Sequence, residues 1–194
     1  AVRILHGLTG AFTAALAGLL AAMIFRLPSI LTALLLSLYG PFLFYSTQLL
    51  PAVPATLLFL ISVYFLLILL QKGFLRHAFL CGMATGLSAL TVANFLVLVP
   101  VQIVAILAAG RLAAMKRRLT ISLVLIAGVV ICILPVTIRN RIASGSWVPV
   151  SNNAGINFYI GNNPAFEETM TIRPGVDWLI LLNRPSMDGA QNAA

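Results

Sequence analysis

Acidic side chains are missing from the first 166 residues of this chain: its four carboxylates, Glu167, Glu168, Asp177 and Asp188, all lie beyond that point. Charge of either sign is scarce, at 8% of residues, where a soluble globular domain spends about a quarter on Asp, Glu, Lys and Arg. That scarcity excludes a surface built to meet water. Only two cysteines are present, Cys81 and Cys132, each inside an apolar run without a partner at a suggestive spacing, so neither a disulfide framework nor a metal centre is indicated. Both read as small packed hydrophobes. His6 and His77 have no carboxylate nearby in sequence, so a local catalytic triad or metal site is not expected.

What is present is apolar: 61% of residues are hydrophobic and the mean hydropathy is +1.06. The solvent that suits such a chain is a bilayer. A hydrocarbon core about 30 Å thick takes about 20 helical residues at a rise of 1.5 Å each. Four segments have that length: 4–25, 27–46, 49–70 and 119–138. The stretch 78–110 is too long for one untilted helix, at roughly 50 Å. It reads as two short passes of roughly 24 Å broken at Thr91-Val92-Ala93-Asn94, the most polar point of the stretch. A single long tilted helix with Asn94 bonded to a neighbour is the other reading. The fold class expected is an all-α polytopic membrane protein, with about six passes over residues 1–138 and an irregular extracytoplasmic segment over 139–194.

The basic residues set the orientation. Arg26, Lys72, Arg76, Arg111, Lys116, Arg117 and Arg118 punctuate apolar runs, which is the pattern of membrane-flanking charges and not of a nucleic-acid footprint. If the loops 71–77 and 111–118 are both cytoplasmic, residues 78–110 must cross twice. Arg3, the turn at 47–50 and everything after Ile138 then lie outside. Prolines 41, 51, 54, 100 and 135 fall within or at the ends of the spans and predict kinked helices. Gly82 with Gly86, and Ala14 with Gly18, offer small faces for close helix contact. The first apolar run lacks a clear cleavage pattern for a signal peptide, and the chain is expected to be a fragment.

From Arg139 the composition changes to Asn, Gly, Pro and Ser, the residues of turns, with Trp147–Val150 and Ile156–Ile160 as short strands or interfacial stretches. Trp147, Phe158 and Tyr159 suit a membrane–water boundary. Arg139 and Arg141 stand outside against the usual inward bias of basic residues, so something anionic is expected to hold them there. Two candidates are open: phospholipid headgroups, and the phosphate of a lipid-linked substrate gripped by guanidinium groups, with Asn140 adding an amide donor. Gly155–Gly161 lacks the Gly-Lys-Ser/Thr ending of a phosphate loop.

Three stretches carry a likeness to a known family. They are Leu38-Tyr39-Gly40-Pro41-Phe42-Leu43-Phe44-Tyr45 through Leu49-Leu50-Pro51, then Gly82–Thr91 with the apolar run to Pro100. The third and most specific runs from Pro135 through Thr137-Ile138-Arg139-Asn140 to Gly155-Ile156-Asn157-Phe158-Tyr159-Ile160-Gly161-Asn162-Asn163-Pro164, followed by Ile172-Arg173-Pro174-Gly175 and Trp178. Together they resemble the bacterial GT-C type membrane glycosyltransferases, in particular the family 39 group with an ArnT-like or protein-mannosyltransferase-like core. Gln48 stands where many relatives carry Glu, and Val92-Ala93 where they often read Arg-Pro.

The resemblance implies transfer of a sugar from a polyprenyl-phosphate donor to an acceptor at the outer face of a bacterial plasma membrane. It implies a catalytic carboxylate in an external loop upstream of the residues matched, Arg139 and Arg141 at the donor phosphate, and Gln48, Asn94, Asn140 and Tyr159 lining the substrate cavity. The partners it implies are that donor and membrane lipid, with no nucleic acid. No cofactor is expected in this chain, and a divalent metal is left to the full-length protein. The chemistry is consistent with an absent acid: glycosyl transfer passes through an oxocarbenium-like transition state and needs a carboxylate, which residues 1–166 do not supply. Glu167 and Glu168 read as a solvated loop pair. A membrane transporter or lipid flippase core, and a non-catalytic assembly subunit, are the alternative functions.

Overall fold

The computed structural model describes residues 2–110, 114–145, 147–151 and 162. Among them every regular element is helical: α1 (Val2–Phe25), α2 (Ser29–Leu38), α3 (Gly40–Thr47), α4 (Ala52–Lys72), α5 (Leu75–Thr91), a 3-10 turn (Ala93–Val97), α6 (Leu98–Ala108) and α7 (Met115–Ser144). Three of them, α1, α4 and α7, are long and apolar enough to cross a bilayer, and the pair α2 and α3 makes a fourth if counted as one broken span. The chain divides into two compact units, Ala1–Val150 and Ser151–Ala194. The boundary expected at 138/139 falls inside α7, which continues to Ser144.

The span expected over 27–46 is not one helix. It bends by 69° between α2 and α3. The cause is Gly40-Pro41: a proline has no N–H for the carbonyl four residues back, Ser37, and its ring clashes with that carbonyl. Tyr39 accordingly leaves the helical region (φ −70°, ψ 112°), and its own N–H closes the last turn of α2 on the Leu36 carbonyl at 3.1 Å. At the other end of α1, Arg26 adopts a left-handed conformation (φ 58°) and donates its N–H to the Ala22 carbonyl, so the reversal into Leu27-Pro28 is made without glycine.

The break expected near 91–94 is present. Val92 is extended (φ −143°, ψ 107°) between α5 and the 3-10 turn, and Thr91 turns its hydroxyl back to the Ser88 carbonyl at 2.6 Å. The chain then reverses. Its direction can be read from the packing: a Cβ added to Gly82 would collide with the Leu125 carbonyl, one added to Gly86 would come within 2.8 Å of the Cys132 Cβ, and one added to Gly128 would meet the Phe79 carbonyl at 2.5 Å. Residue numbers climb together along both helices, so α5 and α7 run parallel with their backbones in direct contact. Parallel neighbours need a return segment between them. α6 supplies it, its Leu107 carbonyl accepting from Arg118 at the start of α7. The 3-10 turn and α6 together span about 26 Å, close to the 25 Å or so of α5.

The core of the first unit forms where α4, α5, α6 and α7 meet: Leu69, Ala78, Cys81, Ala89, Ile106, Ile121, Leu125, Val129 and Ile133 are all buried. α1 packs beside α4 and against α2 through the second small face, where Ala14 is buried and Gly18 admits the Ser29 backbone and the Ala33 methyl. Large apolar side chains line the outside of the helices, among them Phe12, Leu34, Leu123 and Ile131. In water this surface would aggregate; in lipid it is an ordinary exterior.

Candidate functional site

The helix directions sort the described charged residues into two groups. Arg26, Lys72, Arg76, Lys116, Arg117 and Arg118 gather at one end of the bundle, where α1 and α4 finish and α5 and α7 begin. The guanidinium of Arg117 donates to the Gly73 carbonyl at 3.1 Å, which fastens the loop after α4 to the start of α7. The loop 71–77 and residues 114–118 therefore lie on the same side of the bundle. At the other end stand Arg3, Arg139 and Arg141. Along α7, Arg118 and Arg139 are separated by about 32 Å, close to one hydrocarbon thickness.

Arg139, Asn140 and Arg141 occupy the last turns of α7, which ends at Gly145 in a left-handed cap (φ 71°) with its N–H on the Arg141 carbonyl. The chain then folds back along the helix. Thr137 donates its hydroxyl to the Pro149 carbonyl at 2.9 Å, Asn140 donates its amide to the Val148 carbonyl at 3.1 Å, and Val150 packs against the core. The strand considered for Trp147–Val150 is absent. Arg141 holds its guanidinium over the Trp147 ring, 5.5 Å from the centroid, and both side chains are exposed. Arg139 is exposed on another face. Two residues apart on a helix is about 200° of rotation, so the two guanidinium groups do not converge on one side. The Asn140 amide is engaged in holding the turn.

Gln48 ends α3, exposed and extended (φ −84°, ψ 136°), with its carbonyl accepting from Leu50 at 2.8 Å. Asn94 is exposed in the 3-10 turn after α5. Both stand at the same end as Arg139 and Arg141, by the directions of α3, α5 and α7. No hydrogen bond among the described residues joins Gln48, Asn94 and Asn140 to one another. Tyr159 lies outside the described residues, as do Ile156–Ile160 and all four acids. Among the described residues, no three His, Cys, Asp or Glu side chains assemble as a metal site.

A polar layer that sequence reasoning missed lies in the middle of the bundle. Gln102 on α6 directs its amide nitrogen to the Ser62 hydroxyl on α4 at 3.2 Å and to the Thr85 hydroxyl on α5 at 2.9 Å. Thr85 donates to the Cys81 carbonyl at 3.0 Å, and Cys81 offers its thiol to the Ser62 carbonyl at 3.3 Å. A second tie joins Ser88 to the Ala55 carbonyl at 3.3 Å. All of these side chains are buried. The layer clamps the short return helix α6 to its neighbours with hydrogen bonds that lipid cannot compete for. Its only sequence signal is Gln102 itself, the one amide in the apolar run 98–108.

One further hollow is apolar: an open groove of about 390 Å³ between α1 and α4, lined by Phe12, Ala15, Leu16, Leu19, Leu57 and Ile61. It carries no chemistry of its own. No known protein family, curated protein or solved structure matches this chain.

Proposed function

We propose that the chain is part of a multi-pass bacterial plasma-membrane glycosyltransferase that takes its sugar from a polyprenyl-phosphate donor at the external face. Beside the sequence resemblance, the observation that supports the external placement in this reading is the separation of the basic residues. Six described Lys or Arg stand at one end of the bundle and three at the other, and the richer end is assigned to the cytoplasm by the inward bias of such residues. The poorer end, external in this assignment, still presents Arg139 and Arg141 about one bilayer thickness away, where headgroup phosphates lie.

On this reading the first unit crosses the membrane six times: α1, the bent pair α2 and α3, α4, α5, the 3-10 turn with α6, and α7. Residues 139–194 face outside. The two arginines contact the donor phosphate and stabilise negative charge developing on it as the glycosidic bond breaks. Because they point apart, they act on separate oxygens or on separate groups of the lipid-linked donor. Gln48 and Asn94 offer neutral hydrogen-bonding groups to the sugar at the same end. The carboxylate that activates the acceptor comes from outside residues 1–166.

The test is transfer of radiolabelled sugar from a polyprenyl phosphate by the full-length protein, beside Arg139→Ala and Arg141→Ala. Loss of a charge-assisted phosphate contact raises the donor KM by about tenfold. Unchanged donor affinity in both variants leaves the arginines as headgroup anchors and removes the basis for the assignment.

A further inference from the structure

The end of the bundle opposite Arg139 and Arg141 is more electropositive than its count of basic residues conveys. Because α5 and α7 are parallel, both of their N-termini open there. The residues preceding them, Phe74 and Ala114, provide no side-chain cap, and neither first turn contains an acid. Each such terminus acts as roughly half a positive charge. Helix C-termini end here too, and their carbonyls are already engaged: Gly73 caps α4 in the left-handed conformation (φ 69°) with its own carbonyl covered by Arg117, the Leu107 carbonyl of α6 accepts from Arg118, and the Ala22 carbonyl of α1 accepts from the Arg26 N–H. Lys72, Arg76 and Lys116 remain exposed around this tie, and residues 1–166 hold no carboxylate to answer them.

The apolar surroundings decide what kind of anion fits. Phe74, Leu75, Met115 and Leu119 are exposed among these same charges, and Arg76 lies over the Phe74 ring at 5.3 Å. A nucleic acid or an acidic protein would leave those side chains in water. A phospholipid covers both at once, with its phosphate at the basic groups and its acyl chains along the apolar ones. We infer that this end is a binding surface for the acidic phospholipids of the leaflet it faces, with Lys72, Arg76, Lys116 and the N-termini of α5 and α7 as the phosphate contacts. The inference does not depend on sugar transfer.

The experiment is native mass spectrometry of the full chain released from micelles supplied with phosphatidylglycerol, phosphatidylcholine or inorganic phosphate. Phosphatidylglycerol stays bound and phosphatidylcholine does not. Retention falls by about fivefold for each basic residue removed in Lys72→Gln, Arg76→Gln and Lys116→Gln, and the triple variant loses it. Arg139→Gln with Arg141→Gln leaves it unchanged, which separates this surface from the proposed donor site. Equal retention of the two lipids by the unaltered chain overturns the inference and requires no variant to fold. So does equal loss in the variants of the opposite end, or displacement by millimolar inorganic phosphate, which would identify a free-anion site.

Discussion

Gly82 on α5 admits the carbonyl of Leu125 on α7 where any side chain would stand. That contact fixes two parallel helices at backbone distance, and so fixes the return of α6 between them. Gly82→Ala forces a methyl into a backbone oxygen that has no rotamer to move. It is expected to destabilise the bundle by about 2–3 kcal/mol, while Gly7→Ala, which meets nothing within 4 Å, is neutral or slightly stabilising. Thermal unfolding of both variants in the same micelle checks the contrast; equal melting temperatures would remove the close crossing.

The buried polar layer makes a measurable coupling. Gln102→Leu and Thr85→Val each break the amide–hydroxyl contact of 2.9 Å. A double-mutant cycle should return about 0.6 kcal/mol, the usual size for hydrogen bonds within membranes, with Gln102→Leu alone costing about 1 kcal/mol because α4 and α5 both lose a partner. A coupling of zero would mean that packing alone seats α6.

Cysteine labelling tests the six-pass arrangement. With a membrane-impermeant maleimide, Thr47→Cys, Asn94→Cys and Ser144→Cys should react from one side, and Lys72→Cys and Lys116→Cys from the other. Asn94 is the discriminating position: labelling on the same side as Lys72 would contradict two crossings between 78 and 110. The native thiols give little background, since Cys81 is buried and Cys132 half-buried.

Arg141 over the Trp147 ring is an exposed cation–π pair, worth about 0.5–1 kcal/mol. Arg141→Ala should change the local environment of Trp147, read as a shift in the emission of a variant in which Trp178→Phe leaves Trp147 as the sole tryptophan. Arg139→Ala, on another face, should leave that emission unchanged. Equal shifts would indicate a general rearrangement of the helix end.

Length and apolarity made the long helices α1, α4 and α7 legible in the sequence, because a bilayer imposes a minimum run on any helix that crosses it. The interruption near Val92 was legible too, since Thr91 and Asn94 are polar where their surroundings are not. Gly82 and Gly86 announced the close contact, but Gly128, which completes it on α7, has no equivalent partner in its own helix. Pro41 signalled a kink, whereas the full bend at Tyr39 depends on the Ser37 carbonyl losing its N–H donor, a consequence that length counting passes over. Ser62, Thr85 and Gln102 were invisible as a group because they lie on three helices. Arg139 and Arg141 are close in sequence and would act as a pair beyond a helix ending at Ile138; the continuation of α7 to Ser144 turns them apart.

The parallel course of α5 and α7 also constrains how the bundle is built. α4 and α5 are antiparallel and joined by a short loop, so they can pack together as a hairpin as soon as both have been made. α5 and α7 cannot meet until the ribosome has delivered α6 and reversed the chain twice, so the glycine crossing is sealed late. Until that step the Gly82 and Gly86 face has no partner helix to cover it.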